Sequence, residues 1–149
     1  MPGFEQDLKN RYGIGQNERP EFFHYLGLSF DIAKAKKILD KYPHEQVMVP
    51  VESLRQYLAE TNYENGKAIG IKLGVSCNKE YVETLTVEDL KRPLILVPLK
   101  EEIGHLVIDG YHRIAAAVRL GVQELPAVIL TPKEARGVTI RGEEFLYHD

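Results

Sequence analysis

Cysteine is almost absent: Cys77 is the only one in 149 residues, so the chain can form neither an internal disulfide nor an all-cysteine metal site. Positive charge is not in excess either. Lys plus Arg number 19 against 22 for Asp plus Glu, a formal charge of −3, which gives no global attraction to a phosphodiester chain. Binding to DNA would therefore need a local basic patch. The sequence has no membrane-length apolar run, and the start MPGFEQDLKN lacks the basic and apolar segments of a secretory signal, so the cytoplasm is the expected compartment. What is present, 44% hydrophobic and 28% charged residues, is the composition of an ordinary soluble domain long enough to close one core.

Along the chain, residues 1–29 read as a loosely held arm, punctuated by Gly13, Gly15 and Pro20, with a late apolar cluster Phe22-Phe23-His24-Tyr25-Leu26. Ile32, Ala35 and Ile38-Leu39 then recur at helical spacing behind Asp31, a candidate N-cap, and Pro43 ends the helix. Lys34, Lys36, Lys37 and Lys41 fill its other positions. A solvated face is the bland reading of these lysines; a patch for nucleic acid is the sharper one. Val47–Val51 is a β-branched strand whose Pro50 favours an edge position, and Ser53 reads as the cap of a helix over Leu54–Glu60. Asn62–Gly66 reads as a turn, Ala68–Ser76 as an irregular or hairpin strand, and Thr86 with Asp89 as a single capped helical turn.

The C-terminal half is clearer. Pro93–Val97 and His105–Ile108 are expected to pair as a hairpin, His112–Leu120 to be helical with Gly121 as its C-terminal cap, and Pro126–Leu130 to form a further buried strand. The fold class that follows is α+β, a small mixed β-sheet with short packed helices. Its organisation is expected to be an N-terminal arm and helix over 1–46, a core over 47–131 and a charged tail over 132–149 with a frayed end.

Chemistry concentrates in Asp109-Gly110-Tyr111-His112-Arg113, between an apolar strand and a helix. A helix N-terminus offers unpaired N–H groups and the positive end of the helix dipole, so it favours an anion. Gly110 would allow close approach of a ligand, and His112 and Arg113 add donors suited to phosphate or carboxylate oxygens. Asp109 conflicts with that picture: beside an anion it repels, unless it binds a cation, takes a proton or pairs with Arg113. The alternative is structural, with Asp109 capping the helix, Gly110 turning the chain and His112 and Arg113 merely exposed.

The run VIDGYHRIAAAVRLGVQELPAVIL resembles the core of the ParB/sulfiredoxin superfamily: strand, glycine turn with His-Arg, Ala-rich helix, a Gly-x-x-x-x-Pro link and another strand. VPVESL resembles that family's first strand and RPLILVPL its middle strand, so the similarity extends over residues 47–131. Asp109, Gly110, His112 and Arg113 match the Asp-Gly-His-His-Arg turn of the ADP-dependent free serine kinases, with Tyr111 in place of the first histidine. The resemblance implies a nucleotide phosphate held by Gly110, Tyr111, His112 and Arg113, with Asp109 as a Mg²⁺ ligand or a base and His112 as a catalytic donor. Pro43-His44-Glu45-Gln46 resembles the segment carrying the catalytic glutamate of those kinases, which implies Glu45 as a base for a substrate hydroxyl. In the kinases that segment follows the first strand; here it precedes Val47, and Glu52 and Glu60 are the rivals.

Two branches are disfavoured. Sulfiredoxins carry a reactive cysteine immediately before His-Arg, where this chain has Tyr111, so reduction of a sulfinic acid is not expected. The chromosome-partition branch carries Gly-Glu-Arg-Arg and appends a helix-turn-helix, matched neither at this turn nor by length. The expected function is therefore a nucleotide-phosphate-binding domain (ADP, ATP or CTP, with Mg²⁺) of kinase or nucleotidase type. The alternative is a non-catalytic DNA-associated or protein-interaction module using Lys34, Lys36, Lys37 and Lys41, extended by Arg136 and Arg141.

Overall fold

In the computed structural model the described residues are 21–147, apart from 26, 56, 57, 59, 65, 66, 73–76 and 101–103, with backbone alone described over 60–72. The chain folds as two compact units. One takes in the described residues up to His44, Val97–Ile108 and those from Leu130 on; the other takes in Glu45–Leu96 and Asp109–Ile129. The larger sheet, in the strand order β3 (Val47–Pro50), β8 (Glu124–Ile129), β6 (Leu94–Pro98) and β7 (His105–Asp109), holds both antiparallel and parallel pairs, and short helices accompany it, consistent with the expected small α+β fold.

In the first unit, β1 (Phe22–Tyr25) and β2 (Leu28–Asp31) pair antiparallel, and β2 also pairs with β9 (Thr139–Arg141). Residues 22–25 and 28–29 are therefore not a loose arm: β1 and β2 form a local hairpin, and β2 is further held by β9, a strand more than a hundred positions away that local sequence pattern cannot supply. Asp31 caps α1 (Ile32–Lys41) as expected, accepting from the Lys34 N–H at 3.0 Å. The charged segment after Thr131 is folded: α5 (Pro132–Val138) opens with a capping box between Thr131 and Glu134, β9 follows, and Leu146 is fully buried and bridged to Leu99. β7 (His105–Asp109) follows the end of β6 (Leu94–Pro98) as the expected hairpin, with the Leu99 N–H donating to Gly104 O at 2.7 Å.

The second unit positions the turn. β3 (Val47–Pro50) lies at the sheet edge, antiparallel to β8 (Glu124–Ile129), and β8 runs parallel to β6 from Leu94. The edge position suits Pro50, which has no N–H to donate. α2 is a single turn, Val51–Leu54: Pro50 is its N-cap and sets the entry, and Ser53 Oγ donates to Pro50 O at 2.8 Å; of the helix expected over Leu54–Glu60, residues 56, 57 and 59 lie outside the described residues, while Glu60 opens β4. β4 (Glu60–Glu64) pairs with β5 (Lys67–Lys72), so the expected turn is too wide: Asn62 to Glu64 belong to the strand, with a register shift at Asn62/Tyr63. Asn65, Gly66 and residues 73–76 of the proposed irregular strand lie outside the described residues. Thr86 and Asp89 do close one turn, leading into the 3-10 helix Asp89–Lys91, and Asp89 reaches back to the Thr86 backbone as the capping-box position expects. The Thr86 N–H donates to Asp89 Oδ2 at 2.7 Å and holds that carboxyl below its usual range.

The helix of the turn, α4, spans Tyr111–Leu120. Its alanine run favours helix, and Ile114, Ala116 and Ala117 are fully buried. Gly121 closes it at φ 74°, and the Val122 N–H reaches back to Ala117 O at 2.9 Å, a Schellman closure. Beside it lies α3 (Lys79–Thr84), capped by Asn78, whose side chain accepts from the Tyr81 N–H at 3.0 Å.

Candidate phosphate-binding turn

At the junction of β7 and α4 the arginine faces inward. Arg113 is 9% exposed at its side chain; Nη1 donates to Arg92 O at 2.6 Å and Pro93 O at 2.7 Å, and Nη2 donates to Asp109 Oδ2 at 2.9 Å. Burial pulls the guanidinium below its ordinary pKa and the Asp109 carboxylate works against that, but arginine remains charged throughout the accessible pH range. Its role in the structure is to staple the start of α4 to the two residues that lead into β6. The conflict posed by Asp109 is settled the same way, because its charge is neutralised within the protein.

Gly110 is the N-cap of α4 at φ 113°, with no side-chain capping bond, and the first turn contains no acid. A Cβ at this position would stand 2.3 Å from Leu94 Cδ2 and 3.2 Å from Arg113 Nη2. The glycine is thus demanded by Leu94 and by the backbone turn rather than by a ligand. The first intrahelical bond runs from the Ile114 N–H to Gly110 O at 3.0 Å. The amides of Tyr111, His112 and Arg113 precede it and lie at the positive end of the helix dipole.

His112 Nε2 accepts from the Asn78 N–H at 3.2 Å, which uses the Nδ1–H form of the ring, and the Tyr81 ring meets it edge-on at 5.1 Å. Seven residues on, and so on the same helical face, Arg119 Nη2 donates to Leu85 O at 2.7 Å and Val82 O at 3.3 Å. α4 therefore holds α3 at both ends. Truncating Arg119 to alanine is expected to cost about 1 kcal/mol and to speed amide exchange in Val82–Leu85, read by hydrogen exchange. Cys77 adjoins Asn78, but burial pushes its thiol up, which leaves it a poor nucleophile.

The residues expected to act together are brought together only in part. Asp109, Gly110, Tyr111, His112 and Arg113 form one corner, whereas Glu45 does not join it. By register, Leu94 and Val47 both pair with Ala127, the Arg113 bonds lie on the Pro93 side of Leu94, and Pro50 pairs with Glu124 on that side. Glu45 precedes Val47 and so lies in the opposite direction, while Glu52, after Pro50, lies toward the turn's end of the sheet. Glu60 is described in backbone only. Among the described residues no group of three or more His, Cys, Asp and Glu side chains could hold a metal ion. Asp109, with one oxygen already accepting from Arg113, does not suit a protein-built Mg²⁺ site, which requires several oxygen ligands.

A groove of about 490 Å³, lined by Pro50, Val51, Glu52, Ala117, Val122 and Glu124 among others, lies at the other end of α4. Ala117, which lines it, lies six residues past Tyr111, about 9 Å along the helix. The groove combines the negative end of the helix with the carboxylates of Glu52 and Glu124 and the guanidinium of Arg55. Of the lysines considered for DNA, all in the first unit, Lys36 pairs with Glu21 at 2.8 Å and Lys41 lies 5.5 Å over the Tyr42 ring. No helix among the described residues is long and apolar enough to cross a membrane. Residues missed by the sequence reading are Asn78, Tyr81 and Arg119. Only Asn78, a capping type before Lys79-Glu80, carried a local signal.

The chain matches no known protein family and no curated protein. Among solved structures, that of a free serine kinase variant in complex with AMP is similar over 60% of this chain, at 20% identity and a TM-score of 0.37. The chain covers 35% of that protein, about a third of its length.

Proposed function

We propose that the chain is a nucleotide-phosphate-binding domain of the ParB/sulfiredoxin type, with the phosphate seated on the first-turn amides of α4 and beside His112. The observation that carries this reading is the uncapped start of α4 at Gly110 next to an acid whose charge Arg113 already neutralises. The helix end keeps its positive field, and the nearest carboxylate does not oppose an incoming anion. Arg113 acts as a positioning residue in this arrangement, and Asp109 as its counterion. The reading is one of binding: Asp109 is tied to Arg113, and Glu45 precedes Val47 at the Ala127 end of β3, so neither is assigned as a base. Mg²⁺, where required, would arrive on the nucleotide.

Thermal shifts with ADP, ATP, CTP, inorganic phosphate and pyrophosphate, each with and without Mg²⁺, test it. A ligand at one hundred times its dissociation constant stabilises the fold by about 2.7 kcal/mol, a shift of several degrees. His112→Ala is expected to weaken the shift while the protein remains folded. No shift with any of the five, up to millimolar concentration, removes the reading.

A further inference from the structure

Both ring nitrogens of His44 face acceptors. Nδ1 lies against the carbonyl of Tyr42, and Nε2 lies 2.6 Å from Glu134 Oε1. A neutral imidazole has one N–H and could donate to only one of them, so the pair of bonds requires the imidazolium. The two side chains are largely shielded, at 15% and 18% exposed. Tyr42 is the C-cap of α1, its N–H donating to Ile38 O at 2.8 Å. Glu134 belongs to the capping box of α5: its Oε1 also accepts from the Thr131 N–H at 2.9 Å, and its own N–H donates to Thr131 Oγ1 at 3.2 Å. One ring thus joins the end of one helix to the start of another, 90 positions apart in sequence. The Pro43-His44-Glu45-Gln46 segment, singled out for its glutamate, has its built contacts at the histidine.

We propose that His44 is a proton-operated clip: as the imidazolium it ties the exit of α1 to the capping box of α5, and on losing its proton it gives up one of the two bonds and releases that exit. Charges on the elements around it are Asp40 and Lys41 of α1, Glu45 next in the chain, and Lys133, Glu134 and Arg136 of α5; the charge that acts on the ring is that of Glu134. The hydrogen bond to Glu134 raises the His44 pKa above its ordinary value, burial opposes this, and the Tyr42 carbonyl and the Glu134 charge add to the rise. Burial likewise pushes the Glu134 carboxyl up, but the Thr131 N–H and the His44 ring outweigh it and hold that pKa below its usual value. The signs follow. The His44 contribution to stability is complete below the unfolded histidine pKa and is lost as pH rises through the raised folded value. The Glu134 contribution is present above the ordinary glutamate pKa and is lost as pH falls through the lowered folded value. The clip is therefore closed at mildly acidic pH and opens on the alkaline side. It lies within the first unit and does not rest on the phosphate reading.

Ring resonances of the five histidines in the full chain, followed by NMR from about pH 5 to about pH 9, provide the test, with His44 identified by its disappearance in His44→Gln. The expected result is a raised His44 midpoint that falls back in Glu134→Gln. With it, protection of the Thr131 amide should drop, after correction for intrinsic exchange, as His44 deprotonates. A midpoint unmoved by Glu134→Gln, or Thr131 protection indifferent to that titration, overturns the clip. Should either variant fail to fold, the wild-type Thr131 amide and the tautomer spectrum of the unassigned rings decide. One ring more than half imidazolium at about pH 6.5, titrating together with Thr131 protection, supports the clip, and no such ring overturns it.

Discussion

Arg113→Ala is expected to lower stability by about 3–5 kcal/mol, the usual consequence of removing one partner from a buried, hydrogen-bonded ion pair. The substitution leaves three groups without a donor, the carbonyls of Arg92 and Pro93 and the Asp109 carboxylate, at a site where the arginine side chain is 9% exposed. Lysine cannot replace it, because a single ammonium lacks the planar fork that meets three acceptors at once. Asp109→Asn should be much milder, about 1 kcal/mol, since the amide oxygen still accepts from Nη2 and the two carbonyl bonds persist. Urea or thermal unfolding of the three variants reads the order directly. An Arg113→Ala protein within 1 kcal/mol of wild type would mean that the staple is not made in solution. A consequence for ligand studies is that loss of binding in an Arg113 variant reports the corner of the fold and not a lost phosphate contact.

Gly110→Ala carries the second large effect, about 2–4 kcal/mol, from two sources that add. The residue sits at φ 113°, where a side chain is strained, and its Cβ would lie 2.3 Å from a carbon of Leu94, itself fully buried and unable to swing into solvent. Pairing the substitution with Leu94→Ala separates the two. The double variant should be less destabilised than the sum of the single ones, because the clash is gone while the backbone strain remains. Strict additivity would show that Leu94 does not fill this space.

The same residues explain how far the sequence could be read. The hairpin of Leu94–Pro98 with His105–Asp109, the helix Tyr111–Leu120 and its Gly121 stop were legible because their signals are local: apolar runs of strand length, an alanine-rich segment, a glycine at a cap. The three-stranded sheet of β1, β2 and β9 was not, since it joins the two ends of the chain and neither end announces its partner. At the turn, the spacing of Asp109 and Arg113 was legible, but the direction of Arg113 was not. Spacing shows that Asp109 and Arg113 are four apart and able to pair; only the position of the Arg92 and Pro93 carbonyls decides that the guanidinium turns inward. Glu45 illustrates the converse, a motif match that the sequence already places before the strand and not after it, and that the register of β3 sets toward the Ala127 end of the sheet.

In the proposed reading the phosphate meets chiefly the backbone at the start of α4, with His112 and a neutralised acid beside it. Amide resonances in a uniformly ¹⁵N-labelled chain, titrated with pyrophosphate and with ADP, test that statement at the atoms concerned. The largest shifts are expected on Tyr111, His112 and Arg113, with smaller ones on Asn78 and Tyr81, which contact His112. Shifts gathered instead at Gly121–Glu124, the groove at the far end of the helix, or no shifts at millimolar ligand, would contradict it.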